Sequence, residues 1–337
     1  MARGEVSEMT RGEGVIALHA VAARTAPLAR SSLTLEWGPG LHALVGTPAD
    51  GGPLLLAVIA ARERLRAGTV RVLGGAPGGA RVRPQIALVA LTAALPAAMR
   101  VHEVLALAAA LRGEPARPAG ERLAILGIEA LAPRIARSLA PEEARAVAMA
   151  EAVTSTRVRV LLLDEPLVQI DPRASARLPE VLRANARRGV SILFATASVR
   201  DAGELADDHV LLQSGVVVGR AASLDALSGF APRAARMRVL ASDPPALVAA
   251  LAREADVESV ARRDGLVVAR GRDATALAKA VARAVLASGA EVTEVRLEPP
   301  SLDEVRAAAA GVAQGTFEAA RARTLSSLEG LPPQGTS

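Results

Sequence analysis

The sequence predicts two successive units: a larger α/β unit built on a mostly parallel sheet, then a smaller α+β unit of ferredoxin-like order. Three observations carry this. From about Val15 to Ala226, strand-like and helix-like segments alternate, the pattern of βαβ architectures. Two runs, VRVLLLD ending at Asp164 and SILFATA ending at Ala197, are almost uniformly apolar, as strands covered on both faces must be. Beyond Arg236 the order becomes β-α-β-β-α-β.

The elements follow in order. VIALHAV, SLTLEW and LHALVG are strand-like, and the last runs into a glycine loop and an apolar helix. TVRVLG and IALVAL are the next strands, followed by an Ala/Leu-rich helical stretch from Val101 to Leu111. HVLLQSGVVVG reads as a hairpin turning at Ser214-Gly215, and His209 reads as a surface or hairpin residue. A linker from Phe230 to Arg236 carries Pro232 and a polar shift. In the second unit RMRVLA, VESVARR, GLVVARG and EVTEVRL are strands, and PALVAALARE and ATALAKAVARAVLASG are helices. The expected boundaries are a flexible 1–12, a first domain 13–228, a second domain 235–306 and a partly disordered tail 307–337. A short helix is expected near Phe317 to Leu328.

Composition narrows the function. Hydrophobic residues make up 51% of the 337 residues, enough for a large core, but aromatics make up 1%, so that core is aliphatic. Three Phe and one Trp build no base-stacking platform, and the 40 basic residues are scattered, so no nucleic-acid partner is expected. The absence of cysteine excludes disulfides and thiolate metal sites. The charged start, MARGEVSEMTRGEG, is no secretory signal, and the apolar stretch Ile86–Met99 is too short to span a bilayer. The net charge of +5 permits an acidic partner or an anionic surface.

The chemistry concentrates in two places. LVGTPADGGPLLL has the layout of a phosphate-binding loop, G-x-x-x-x-G-K-[S/T], with Gly46 and Gly51 in place. The lysine position holds Gly52 and the hydroxyl position holds Pro53. Lys279, the sole lysine, lies in the second unit, so only an arginine such as Arg62 or Arg64 is left to supply the missing charge. Proline suits a first helical turn but has no N–H, and Asp50 puts negative charge into a loop shaped for an anion. RVLLLDEPLVQIDP is the second place. A carboxylate at a strand end, Asp164, can hold Mg²⁺ beside a phosphate, and a neighbour, Glu165, can polarise an attacking water. An acid pair there is also kept where it caps or hydrogen-bonds adjoining loops.

With these motifs, residues 13–228 resemble the nucleotide-binding subunit of ABC transporters. GTVRVLGG, RVHEVLALAAALRG and ELADDHVLLQSGVVVGR fall where that family has its post-loop strand, the start of its helical subdomain and its closing hairpin. LEPPSLDEV, Leu297 to Val305, is similar to an ending common in export-type systems. The resemblance implies an ABC ATPase-type P-loop fold with a helical subdomain. It also implies dimerisation with itself or another nucleotide-binding chain, and docking on a membrane permease. The chain is then cytoplasmic and peripheral to the inner face of the cell membrane.

Carried over residue by residue, the family's site is depleted. The signature Leu-Ser-Gly-Gly-Gln falls on Leu139, Ala140, Pro141, Glu142 and Glu143. The glutamine before the helical subdomain falls on Leu91, the switch histidine on Ala197 and the adenine-stacking aromatic near Arg24 or Thr25. Arg100, His102 and Glu103 lie where coupling contacts are expected. In family dimers each phosphate loop faces the partner's signature, so a pair containing this chain has two compromised sites. The reading is a degenerate, non-catalytic structural or regulatory subunit of an export-type transporter. It has no expected cofactor, or weak ATP/Mg with Asp164 as metal ligand. The alternatives are an ATP-hydrolysing subunit with an unorthodox site and a free-standing interaction protein.

Overall fold

In the computed structural model the described residues are 14–222, 235–263 and 265–298, with Leu302 and Val305. The expected flexible start, the tail and its short helix lie outside them. The chain divides into two compact units, Met1–Ser223 and Leu224–Ser337.

Unit 1 holds two sheets. The smaller is antiparallel, in the order β2 (Leu33–Trp37), β1 (Ile16–Ala23), β4 (Leu65–Val72). The larger runs β5 (Ile86–Val89), β6 (Val160–Asp164), β7 (Ser191–Thr196), β3 (Gly40–Val45), β8 (Asp208–Gln213), β9 (Val216–Ala221). Its first five strands are parallel and β9 folds back on β8, the expected hairpin. All six residues of β7 are buried, which explains its uninterrupted apolar run. β8 is buried for the same reason, so His209, 1% exposed, is an interior residue. Its Nε2 donates to the Ala202 carbonyl at 3.1 Å.

Helix α1 (Gly52–Ile59) packs against β6 and β7 of the large sheet and β1 and β4 of the small one. Leu55, Leu56 and Ile59 are fully buried there, and each contributes about 2 kcal/mol by leaving water. The helical segment comprises α2 (Val101–Arg112), α3 (Ala119–Ala124) and α4 (Pro141–Thr154). Buried Arg122 ties all three: it donates to the Leu105 carbonyl, the Thr154 hydroxyl and the Glu151 carbonyl at 2.9–3.0 Å. Helices α5 (Pro172–Arg187) and α6 (Val199–Leu205) flank β7.

Unit 2 is a four-stranded antiparallel sheet, β11 (Ser259–Arg263), β12 (Leu266–Gly271), β10 (Ala235–Ala241), β13 (Val292–Glu298). With α7 (Pro244–Leu251) and α8 (Ala274–Ser288) it gives the expected β-α-β-β-α-β order. Its first strand begins at Ala235, inside the segment read as linker. No helix among the described residues is long and apolar enough to cross a membrane.

Candidate functional site

Parallel register brings the motifs together. Val45 pairs with Thr196, and Asp164 pairs with Ala195, so β3, β7 and β6 end in one row. Gly46, Glu165 and Ala197 extend from those ends, and Gly46 donates its amide to the Thr196 carbonyl at 3.0 Å. This is the carboxyl edge of a parallel sheet, where open α/β folds place their ligands.

The loop from Gly46 to Gly51 keeps its bend. Gly51 has φ +97°, a left-handed conformation, and α1 starts immediately after it with Pro53 in its first turn. Inside the bend lies the carboxylate of Asp50, 6% exposed. It accepts the Thr47 amide at 2.7 Å and the Thr47 hydroxyl at 2.5 Å, and its other oxygen accepts the Ser214 amide at 2.9 Å. The Asp50 and Gly51 amides turn back onto the Thr47 and Pro48 carbonyls. Pro48 and Pro53 have no N–H. A loop whose amides would cradle a phosphate is therefore closed on a carboxylate of its own. Gly51 is also covered from outside: a Cβ there would lie 2.9 Å from Pro27 and 3.1 Å from Leu28. The sequence shows Asp50 as a charge opposing an anion; the structure shows it taking the Thr47 amide and hydroxyl of the loop for itself.

The signature segment is closed in a similar way. Ala140 is the N-cap of α4 and Pro141 its first residue. Glu143 reaches back, accepts the Ala140 amide at 2.9 Å and takes the Arg134 guanidinium at 2.7 Å. Glu142, exposed, adds a second negative charge to that first turn. An N-terminus that favours an anion is met by the chain's own acids. Leu139 precedes the helix in extended backbone.

The strand-end acids separate into two kinds. Glu165, buried at φ +48°, accepts the Thr196 hydroxyl and the Ala197 amide, both at 2.8 Å. It fastens the end of β6 to the end of β7, so the Ala197 position contributes a backbone donor where a side chain was expected. Asp164 has a buried Oδ1 with no hydrogen-bond partner. Burial pushes its carboxyl above the usual range, against a backbone hydrogen bond from Leu91 and the Arg145 charge. The other acid of that stretch, Asp171, caps α5 by accepting the Arg173 and Ala174 amides.

Arg145 was not singled out from the sequence. It is 1% exposed and donates to three carbonyls, those of Leu91 at 2.9 Å, Glu165 at 2.5 Å and Asp164. Burial pushes its guanidinium below its ordinary range, opposed by Asp164 and Glu165. A signal did exist: Arg145 falls on the face of α4 that also buries Ala146, Met149 and Val153.

The remaining candidates lie apart from this cluster. Arg24, Arg62 and Arg64 are exposed, and none makes an ion pair with a described residue. Arg100 and His102 bond the carbonyls of Pro133 and Ala132, and Glu103 accepts the Arg100 amide to cap α2. No group of three or more His, Asp or Glu suited to a metal occurs among the described residues.

The mostly parallel sheet, the small antiparallel sheet and the helical segment together make an ABC ATPase-type P-loop α/β fold, followed by a small second unit. No family model matches the chain. It is 32% identical over 206 residues to the molybdenum import ATP-binding protein ModC of Albidiferax ferrireducens, a match covering 57% of this chain and 54% of that protein. The chain spans about half the length of that relative. An ATP-binding subunit of an ABC transporter superposes with a TM-score of 0.57 at 21% identity, over 64% of this chain and 92% of that one. An ATP-binding cassette solved as a dimer with ADP and phosphate gives 0.55 at 16%, over 61% and 98%. These similarities establish the fold and place the sequence beside ABC transporter ATP-binding subunits.

Proposed function

We propose that the chain is a non-catalytic nucleotide-binding-type subunit of an ABC transporter. It keeps the fold for assembly with a membrane permease and a second nucleotide-binding chain, or a second copy, at the inner face of the membrane. The observation that carries this is the Asp50 carboxylate seated inside the loop, on the Thr47 amide and hydroxyl and on the Ser214 amide of the β8–β9 turn. Gly52 and Pro53 in place of lysine and hydroxyl support it, as does the Glu143 cap on the signature helix. Phosphoryl transfer draws its rate from donors and cations aimed at the terminal phosphate, and these positions supply none. Asp164 and Glu165 are then vestiges, the second reused as a brace. Transport direction is read as export from Leu297–Val305, whereas the Albidiferax relative is named for import.

A second reading, weak Mg-ATP binding, is favoured by the unpartnered Asp164 oxygen. Calorimetric titration with Mg-ATP separates the two. The native chain is expected to give no heat. An Asp50→Ser/Gly52→Lys/Pro53→Ser variant is expected to bind, because the bend persists. Micromolar binding by the native chain would overturn the non-catalytic reading in favour of an ATP-dependent or ATP-sensing subunit.

A further inference from the structure

The chain's positive charge is not spread evenly. Residues 14–99 hold eight arginines, Arg24 through Arg83, against three acids, a net of +5. The entire chain, 40 basic against 35 acidic, is also +5, so everything outside this stretch sums to zero. Two of the three acids are already engaged: Asp50 by its loop and Glu36 by the Gly14 amide. None of the eight arginine side chains has a hydrogen bond or ion pair with a described residue. Arginines elsewhere, such as Arg112, Arg134, Arg220 and Arg283, are bonded to carboxylates.

The ladder gathers part of this set. Ala23 pairs with Leu65 in antiparallel register at the last rung, so Arg24 and Arg64 are the residues just beyond the paired ends of β1 and β4. Ala23 is buried and Leu65 packs on the core, while Arg24, Arg64 and Arg66 beside them are exposed. Like charges gathered at one strand end cost stability, and although Glu63 adjoins Arg64, no described acid makes an ion pair with these arginines. Strand β4 is also an edge: β1 lies on one side, and on the other no described strand pairs with it, although Val72 at its end is bridged by Gly75. Arg71 continues the line seven residues on, about 23 Å at strand rise.

We propose that the β4 edge is a docking surface for an acidic, extended polypeptide segment, which adds beside β4 and sets carboxylates against Arg64 and Arg66, with Arg24 adding positive charge from the end of β1. A line of cations along an open hydrogen-bonding edge fits a strand better than a compact anion, which needs converging donors. A lipid surface fits less well, because none of the exposed large apolar side chains among the described residues lies in 14–99. Gly68, at φ +84° against Ala20 at φ +50°, bulges the ladder. Bulges and arginines are how proteins block edge pairing in general. Here they reject neutral and basic strands and leave an acidic one preferred.

The test uses the full chain and a fluorescein-labelled peptide of alternating Thr and Glu, eight residues long, in an anisotropy titration. Arg24→Glu/Arg64→Glu/Arg66→Glu is compared with a charge-matched control in unit 2, Arg253→Glu/Arg262→Glu/Arg270→Glu. Binding by the native chain and the control, weakened more than about tenfold in the first triple variant, is the expected result. Hydrogen exchange should slow at β4 amides on binding, which charge attraction alone would not cause. No binding by the native chain, or equal loss in both triples, overturns the proposal. Binding to vesicles of equal phosphatidylcholine and phosphatidylserine, lost in the first triple and without peptide binding, overturns it in favour of a lipid surface.

Discussion

The two ends of the large sheet each hold a half-buried aspartate, and the two are treated in opposite ways. At the amino end, Asp208 accepts both Arg220 nitrogens at 2.9–3.0 Å and faces His42 Nδ1 at 3.2 Å. Arg220 continues to the Glu36 carbonyl and lies over the Trp37 ring, 5.9 Å from its centroid. Burial would raise the Asp208 pKa, but the bonds to His42 and Arg220 outweigh it and bring it down to about 2. At the carboxyl end, burial wins for Asp164 and its pKa is raised. The nearby Arg145 is spent on three carbonyls. One end is a closed ion network; the other leaves a carboxylate oxygen of Asp164 without a hydrogen-bond partner. The difference separates carboxylates that hold the fold from one that the fold tolerates.

The largest effect should come from the carbonyl clamp. Arg145→Ala strands three carbonyls and opens a void, and a loss of about 3–5 kcal/mol is expected. Trp37, the sole tryptophan, is buried in unit 1, so its fluorescence in a urea titration follows that unit alone. A loss below about 1 kcal/mol would show that the carboxyl end of the sheet holds without Arg145, and the contrast between the two ends would weaken.

Next comes the amino end. Asp208→Asn should cost about 2 kcal/mol at pH 7, in line with a pKa depressed from 3.8 to about 2. The sign follows from the depression: this stability is present above the unfolded value and is lost as pH falls through the folded one. The gap between native and variant should therefore close between about pH 4 and pH 2. A gap constant across that range would mean that the loss comes from packing and not from the carboxylate's charge.

Glu165 gives a smaller effect. Glu165→Gln keeps one acceptor for the two donors that hold β6 to β7, so a loss of about 1–2 kcal/mol is expected. No loss would return Glu165 to the set of acids kept for chemistry.

Much of this was legible in the sequence because burial writes itself into composition. The runs before Asp164 and Ala197 are strands covered on both faces, and alternation supplied the order around them. Of the two places read for His209, surface or hairpin, the hairpin holds and the surface does not, since a single polar residue in a buried strand looks like a surface residue until Ala202 is seen to bond it. Asp50 was legible in position but not in role. Its carboxylate is satisfied from Thr47 and from Ser214, 164 residues away, and no local pattern encodes that meeting. Arg145 could have been read from helical period, but its three acceptors are backbone carbonyls, which leave no mark on side-chain identity.

The smallest effect sharpens the comparison most. Asp164→Asn removes a carboxyl that burial disfavours when ionised. A raised folded pKa means that the relative benefit to the fold is complete below the unfolded value and is lost as pH rises through the folded one. Asparagine imitates the protonated form at every pH. The variant should match the native chain at pH 3–4 and become equal or slightly more stable, by under about 1 kcal/mol, toward pH 8. Trp37 fluorescence during urea unfolding at several pH values reads this directly. If the variant instead loses stability as pH rises, the ionised Asp164 has a partner that stabilises it. The carboxyl end would then be a working anion-and-cation site, not the unfinished counterpart of the Asp208 network.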